Sequence, residues 1–203
     1  MTLPLNAHGL GEPSVWVLNC LDGLSDEHTA RGGVMPKALD LACGGGRHSR
    51  ALLAAGYEVL AVDKDTTALA QCPEGAQTQM LDLEGSVWPL SDCRFDLVLV
   101  THYLWRPHFL ALLDCVAPGG YLLYETFMVG NEAFGSPKNP AFLLRSEELL
   151  DLCRPGFEVL RFEQGVRKNP GPALVQRILA QRKPSLAIQS AHVVSARNGK
   201  EKS

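Results

Sequence analysis

The chain has 203 residues, of which 46% are hydrophobic and 20% are charged, and its formal net charge is −3. This length fits one α/β domain, and the apolar content is enough to bury a sizeable core. The charge is close to neutral, so the chain lacks the basic character of proteins that bind nucleic acid or an anionic membrane, and neither partner is expected.

The cellular environment follows from three further observations. The first twenty residues contain no secretory signal, and no apolar run approaches the roughly 18 residues that span a bilayer. None of the six cysteines has the Cys-x-x-Cys spacing of a zinc or redox site, so neither a metal nor a disulfide framework is expected. We expect a cytoplasmic protein, either a monomer or a homodimer.

Helical and strand patterns alternate along the chain. Helices are predicted over residues 13–24, 47–55, 66–71, 108–116 and 146–153, the last of them capped by Ser146. Strands are predicted over residues 38–42, 58–62, 77–81, 95–100, 121–126, 158–162 and 174–180. This order predicts an α/β fold in which helices cover both faces of a mostly parallel sheet. We expect one domain over residues 1–183, with its core at 38–180, and a flexible tail over 184–203.

Residues 127–144 form a long irregular insert after the fifth strand. It contains two glycines, two prolines and two asparagines. Loops of this length at the edge of a sheet are more often functional than not, so we expect a lid over the substrate rather than a plain surface loop. Gly130, Gly135 and Pro137 would let it bend, and Asn131 or Asn139 would hydrogen-bond a ligand.

A glycine triplet, Gly44 to Gly46, directly follows the first strand, and Asp63 ends the second strand seventeen positions later. Glycines allow the backbone to approach a ligand closely, and a carboxylate at Asp63 suits the two hydroxyls of a ribose. A dinucleotide site would need glycine or alanine where Ser49 stands, and Asp40 would repel its pyrophosphate. A carboxylate at Asp40 instead suits the ammonium of S-adenosylmethionine, which has a ribose and an adenine but no phosphate.

The glycine stretch resembles motif I of class I S-adenosylmethionine-dependent methyltransferases. Other segments match that family in the same order: Val62-Asp63, Leu81-Asp82-Leu83, Phe95 to Val98 followed by Thr101, and Val116-Ala117-Pro118-Gly119-Gly120. The resemblance covers residues 38–180, about seventy per cent of the chain. It implies a Rossmann-like seven-stranded sheet whose last strand is antiparallel, with S-adenosylmethionine as the cofactor. The cofactor-binding residues it implies are Asp40, Ala42, Gly44, Gly46, Asp63, Lys64, Asp82, Leu83 and Thr101.

A finer resemblance is to small bacterial methyltransferases of the tellurite-resistance and thiopurine type. The segments that carry it are Gly46-Arg47-His48-Ser49, Tyr103-Leu104-Trp105-Arg106-Pro107, Tyr124-Glu125-Thr126-Phe127 and Asn139-Pro140 to Leu144. This resemblance implies a small-molecule methyl acceptor.

Residues after the fourth and fifth strands are placed to act on that acceptor. His102 is either a general base or a residue that hydrogen-bonds the adjacent loop. Tyr103 either walls the methyl group, together with Trp105, or simply packs. Arg106 either binds an anionic substrate or pairs with Glu125 or Asp114. His102, Tyr103 and Arg106 are therefore the catalytic candidates.

Other aromatic residues have weaker assignments. Trp88 is expected to border the adenine and Trp16 to cover the cofactor cleft, whereas ordinary packing is the alternative for both. His48 is expected to fix the glycine loop, and His108 to be structural.

Three functions are consistent with these features. The first is an S-adenosylmethionine-dependent methyltransferase acting on a thiol, an oxyanion or a similar small nucleophile. The second is a non-catalytic S-adenosylmethionine-binding regulator or pseudo-enzyme, and the third, disfavoured by the phosphate argument, is a dinucleotide oxidoreductase. Methylation of amide or base nitrogens is also disfavoured, because Thr101-His102-Tyr103-Leu104 replaces the Asn-Pro-Pro-aromatic signature of enzymes with that activity.

Overall fold

A computed structural model describes residues 11–29 and 34–184, with side chains of the first helix described as far as residue 24. The helices are α1 (Val15–Thr29), α2 (Arg47–Ala54), α3 (Thr66–Leu69), α4 (Phe109–Asp114) and α5 (Glu148–Cys153). The strands are β1 (Lys37–Leu41), β2 (Glu58–Asp63), β3 (Gln77–Met80), β4 (Phe95–Thr101), β5 (Val116–Phe127), β6 (Phe157–Arg167) and β7 (Ala173–Arg182). Short 3₁₀ turns occur at Arg106–His108, Asn131–Ala133 and Pro140–Phe142. Except for residue 184, the tail predicted over 184–203 lies outside the described residues.

The strands form one seven-stranded sheet in the order β3-β2-β1-β4-β5-β7-β6. β7 runs antiparallel to its neighbours β5 and β6, whereas β1 pairs in parallel with both β2 and β4. The predicted α/β fold with an antiparallel last strand is confirmed. The strand order reverses between β1 and β4, which is where open sheets of this kind bind ligands.

Alternating side chains of the central strands supply two separate cores. Leu97 and Leu99 of β4 face α1 and α2, and Val98 and Val100 face α4 and α5. The same alternation occurs in β5, and α1 packs its apolar side chains on the first of these faces. Burial on both faces explains why β4 is almost continuously apolar in sequence.

Several predicted boundaries differ from the structure; β6, for example, runs to Arg167 rather than ending at residue 162. β5 begins at Val116 rather than residue 121, because Val116 pairs with Phe95 before the register shifts toward Leu97. Ser146 does not cap α5, which is preceded instead by Glu147 in a left-handed conformation, φ 59°.

Side chains of the neighbouring strands take over the capping role at α5. The carboxamide oxygen of Gln164 accepts from the Glu147 N–H at 3.0 Å, and that of Gln176 accepts from the Leu149 N–H at 2.7 Å. These two glutamines therefore satisfy backbone donors that a capping serine would otherwise have served.

Among the described residues, no helix is both long and apolar enough to cross a membrane.

Candidate active site

A cavity of ≈ 850 Å³ opens at the carboxyl ends of the central strands. Its walls come from the loop after β1, the end of β2, the segment after β3, the ends of β4 and β5, and the insert. Of the predicted site residues, those that line it are Ala42, Gly44, Asp63, Lys64, Leu83, Thr101, His102 and Tyr103. Asp40, Gly46, Asp82 and Arg106 are not among its lining residues.

Asp63 holds the glycine loop against the end of β2. Its Oδ2 accepts a hydrogen bond from the Gly44 N–H at 2.9 Å, and its Oδ1 accepts from the Asp65 N–H at 2.9 Å. A carboxylate oxygen has more than one acceptor site, so Asp63 can still accept the hydroxyls of a ribose. The same contact occupies the Gly44 amide, which a bound pyrophosphate would need.

Gly46 shapes the loop from behind rather than lining the cavity. Its φ is +74°, and a Cβ at this position would lie 2.8 Å from Pro73 Cδ and 2.9 Å from Cys72 Sγ. Glycine is therefore required both by the backbone conformation and by the close approach of the segment after α3.

Asp40 lies beneath the loop, on the face of the sheet that α2 covers, and is 1% exposed. Ser49 donates a 2.6 Å hydrogen bond to its Oδ2, while its Oδ1 has no hydrogen-bond partner among the described residues. Burial raises the pKa of the Asp40 carboxyl to about 6, against the lowering effect of the Ser49 hydrogen bond. A buried carboxylate with one free oxygen is suited to a nearby cation, directly or through a water molecule.

The segment after β3 separates Leu83 from Asp82. Leu83 is buried and lines the cavity, whereas Asp82 is exposed and its Oδ1 accepts from the Glu84 N–H at 3.0 Å. Lys64 lines the same region, with its Nζ 3.4 Å from Glu84 Oε2. Asp82 therefore holds the turn that presents Leu83, and its contact with a cofactor stays a prediction.

His48 connects α2 to α1 and to the end of β4. Its Nε2 accepts from the Ser14 N–H at 3.1 Å, which leaves Nδ1 to donate toward Thr101 Oγ1 at 3.2 Å. Burial lowers the pKa of His48 to about 3, helped by the positive charge of Arg47, so this tautomer is neutral. His48 therefore has a structural role, and its hydrogen bond positions Thr101 at the cavity wall.

His102 stands at the cavity wall in a left-handed conformation, with φ +54°. Its ring stacks on Phe127, with centroids 4.7 Å apart. Arg47 Nη2 lies 3.3 Å from its Nδ1, and Arg167 Nη1 lies 3.2 Å from its Nε2. Burial first, and then the charges of Arg47 and Arg167, lower the pKa of His102 to about 3. Its assignment as a general base with a pKa near neutrality is therefore corrected, because this imidazole binds a proton weakly.

Tyr103 and Arg106 differ in their relation to the cavity. Tyr103 lines it and donates from its hydroxyl to the Leu83 carbonyl at 3.3 Å, and burial raises its pKa. Arg106 donates to Glu148 at 2.6 and 2.8 Å and to two carbonyls of the insert, those of Ala141 and Leu143. Protein acceptors occupy these donors and Arg106 does not line the cavity, so the expectation that Arg106 binds substrate, or pairs with Glu125 or Asp114, is replaced by a structural role.

Glu125 is the centre of a buried charge cluster at the end of β5. It is 1% exposed and lies 3.2 Å from Arg167 and 3.0 Å from Arg177, and it accepts from Ser14 Oγ at 2.8 Å. Arg177 is its cross-strand partner in β7, which fixes this pairing in the sheet register. The cluster links β5, β6 and β7 to Ser14, which immediately precedes α1. It contacts His102 through Arg167.

The insert covers part of the cavity through Ser136, Pro137 and Phe142. The side-chain oxygens of both its asparagines accept hydrogen bonds from backbone N–H groups, one in β7 and one within the insert. Asn131 Oδ1 accepts from the Leu174 N–H at 3.0 Å, and Asn139 Oδ1 accepts from the Ala141 N–H at 3.0 Å.

Several aromatic predictions are corrected toward packing. Trp88 is buried in the core and donates from Nε1 to Cys115 Sγ at 3.4 Å, instead of bordering the cavity. Trp16 is buried against the sheet and donates to Glu163 at 3.1 Å, so it does not cover the cleft. Trp105 does not line the cavity either. His108 contacts the Gly85 carbonyl at 2.6 Å, in keeping with a structural residue.

Residues 38–120, from β1 into β5, match the family model described as a methyltransferase domain. The sheet order, the antiparallel β7 and the loop after β1 decide the fold. The chain has the fold of S-adenosylmethionine-dependent methyltransferases. None of the curated proteins compared matches the chain.

Solved structures share this fold at low sequence identity. TehB from Haemophilus influenzae superposes with a TM-score of 0.60 at 20% identity, over 80% of this chain and 62% of its own. A methyltransferase from Mesorhizobium loti gives 0.56 at 19% identity, over 80% and 100%. Magnesium protoporphyrin IX methyltransferase from Synechocystis PCC 6803, with bound SAH, gives 0.59 at 15% identity, over 86% and 90%.

These matches differ in how much they establish. The chain spans less than two thirds of TehB, and the likeness is one of fold, so the tellurite-resistance or thiopurine subtype stays a prediction. The methyltransferase-domain match and the shared fold support S-adenosylmethionine as the cofactor.

Sequence reasoning missed the residues that surround His102. The sequence places Arg47 in a predicted helix and in one segment of the finer resemblance, and it gives no pattern that singles out Arg167. Arg167 is 65 positions from His102 in sequence, so their contact depends on the pairing of β5, β7 and β6. The alternating charges at Glu125, Arg177 and Glu163 are the signal that would have indicated a cross-strand row.

Proposed function

We propose that this protein is an S-adenosylmethionine-dependent methyltransferase that acts on a small-molecule nucleophile, and that its acceptor is an anion such as a thiolate or an oxyanion. The observation that carries the proposal is Asp63, a carboxylate fixed by two backbone N–H groups at the wall of a cavity that continues to His102 and the insert. One end of the cavity, at Asp63, would hold the nucleoside of the cofactor, and the other end, at His102 and the insert, would hold the methyl acceptor.

The ribose, the adenine and the ammonium of the cofactor each have a corresponding group in the chain. Asp63 would accept hydrogen bonds from the ribose hydroxyls, and Leu83 and Ala68, which both line the cavity, would provide apolar surface for the adenine. Asp40 compensates the ammonium from beneath the loop. The bound cofactor supplies an activated methyl group on a sulfonium, and in-line attack on it depends mainly on positioning.

The ionisation of nearby side chains favours an acceptor that is already deprotonated. His102 and His48 are weak bases, with pKa values lowered to about 3 by burial. Tyr103 keeps its proton, because burial raises its pKa. A neutral amine or alcohol would need a base to remove its proton, whereas a thiolate or an oxyanion needs none.

Calorimetric titration with S-adenosylmethionine, S-adenosylhomocysteine and NAD tests the cofactor assignment. We expect the first two to bind and NAD not to bind. Asp63→Ala should weaken binding at least tenfold, because it removes the ribose acceptor and releases Gly44. Asp92→Ala, at an exposed carboxylate outside the cavity, serves as the control. Binding of NAD alone would overturn the assignment.

The acceptor class requires a separate experiment. A screen with the labelled methyl group over thiols, carboxylates, inorganic oxyanions and amines should give product with one of the anionic classes. Exclusive methylation of amines would contradict the proposed acceptor, while leaving the cofactor assignment in place.

A further inference from the structure

His102 is placed between two groups that can only donate hydrogen bonds. Arg47 Nη2 faces its Nδ1 at 3.3 Å and Arg167 Nη1 faces its Nε2 at 3.2 Å. Its left-handed backbone and the stacked Phe127 ring hold the imidazole in this position. A residue kept in a sparsely populated conformation at a cavity wall is a sign that its placement matters.

The hydrogen bonds of this trio cannot all be satisfied. A neutral imidazole has one acceptor nitrogen and one N–H, and a guanidinium has donors alone. One of the two arginines must therefore face an N–H. Arg167 is fixed by Glu125 at 3.2 Å, so the consistent arrangement has Nε2 accepting from Arg167 and Nδ1 carrying the proton. The unsatisfied pair is then the Nδ1–H of His102 and the guanidinium of Arg47.

One of the positive charges around His102 also lacks a carboxylate partner. Arg167 and Arg177 share the buried carboxylate of Glu125. Arg47 lines the cavity and is partly buried, yet in the described part of the chain it has no carboxylate within 4.0 Å. Burial accordingly lowers the pKa of Arg47, which nevertheless keeps its charge. One positive charge and two kinds of N–H donor are thus presented to the cavity.

We propose that the methyl acceptor carries a carboxylate or an oxyanion of similar size, and that this group binds to the guanidinium of Arg47 and the Nδ1–H of His102. The inference rests on the proposed function and narrows its acceptor from anions in general to anionic oxygen groups. Such a group accepts from both donors at once and neutralises Arg47. Phe127, Pro137 and Phe142 line the same compartment, so the rest of the acceptor is small and apolar.

Arg167 is a positioning residue in this arrangement. It reaches Nε2 from outside the cavity lining and selects the Nδ1–H tautomer, and Glu125 holds it there. Nitrogen-15 correlation spectra of the His102 ring should accordingly show a neutral ring protonated at Nδ1. Arg167→Met should release this tautomer preference, a change that a merely structural contact would not produce.

The binding test uses acetate, benzoate and inorganic sulfate, with benzamide as a neutral match for benzoate. Each is titrated into protein with and without S-adenosylhomocysteine. Benzoate should bind at least tenfold more tightly than benzamide, and the preference between carboxylates and sulfate identifies which kind of oxyanion the site takes. Arg47→Gln should reduce anion affinity at least tenfold. Arg50→Gln, an exposed arginine one turn along the same helix, should leave it unchanged.

A second variant distinguishes a loss of anion binding from misfolding. His102→Asn retains an N–H donor close to the Nδ1 position and tolerates a positive φ, so it should retain most of the anion binding. Equal affinity for benzoate and benzamide, unchanged binding in Arg47→Gln, or binding of no anion would each overturn the inference. Failure of S-adenosylhomocysteine to bind overturns the proposed function instead, and the titrations without it still test the anion site.

Discussion

Ser49 donates a hydrogen bond of 2.6 Å to Oδ2 of Asp40, joining the first turn of α2 to β1. In the sequence, Ser49 stands where a dinucleotide site would need glycine or alanine. In the structure it is the partner of the buried acid, and it leaves one carboxylate oxygen free beneath the loop. Ser49, which argues against a dinucleotide site, therefore also leaves one oxygen of Asp40 available to a cation.

Cofactor affinity should depend on pH through Asp40, whose pKa burial raises to about 6. The carboxyl is neutral below this pH and ionised above it, and the cofactor ammonium favours the ionised form. S-adenosylmethionine should therefore bind more tightly as the pH rises from 5 to 7, by about tenfold, since one pKa unit corresponds to a tenfold change. Calorimetry at pH 5, 6 and 7 measures the effect, and Asp40→Asn should bind weakly with no such slope. An equal slope in that variant would contradict the assignment.

Gly46→Ala should destabilise the loop more than the backbone conformation alone requires. A left-handed residue other than glycine costs about 1–2 kcal/mol. At Gly46 the added Cβ also meets Pro73 and Cys72 at 2.8 and 2.9 Å, so we expect a total near 3 kcal/mol and weaker cofactor binding. Gly56→Ala is a matched control, with φ +86° and no heavy atom within 4 Å. Urea unfolding compares the two variants, and equal losses would show that the close contact at Gly46 relaxes freely.

Glu125→Gln should destabilise the protein by about 3 kcal/mol, because it leaves Arg167 and Arg177 without a buried carboxylate. It should also weaken the hold on His102, since Arg167 loses its anchor. Glu163→Gln removes a carboxylate from the same row that is 53% exposed, and should change stability by less than about 1 kcal/mol. Urea unfolding of both variants tests this difference. Similar losses in the free energy of unfolding would mean that the burial of Glu125 does not strengthen its contribution to stability.

Local patterns in the sequence were enough to predict the fold. Alternation of strands and helices predicted the parallel sheet, and the glycine loop with Asp63 predicted one wall of the cavity, because both depend on residues close in sequence or on strand ends. The acceptor end depends on contacts between distant segments. Arg106 was assigned to the substrate because its partner Glu148, 42 positions later, is invisible without the tertiary fold.

The Arg106–Glu148 pair should hold the insert in a pH-dependent way. Burial raises the pKa of Glu148, but hydrogen bonds from Arg106 and the Arg145 N–H outweigh it and bring the value down to about 2. A carboxyl whose pKa is lowered on folding stabilises the protein above its ordinary pKa, and this contribution is lost as the pH falls toward 2. We expect a contribution of about 2 kcal/mol, reduced from the full shift because Arg106 is one third exposed.

Urea unfolding of the wild type and of Glu148→Gln at pH 7, 4 and 2.5 measures this contribution. The two proteins should differ at pH 7, and most of this difference should be lost at pH 2.5. Hydrogen exchange should also show faster opening at residues 141–144 in Arg106→Met, because its guanidinium donates to the carbonyls of Ala141 and Leu143. Arg154→Met, which breaks an exposed pair with Asp151, is the matched control. A difference that persists undiminished at pH 2.5 would place the stabilisation in packing rather than in the ionised carboxylate.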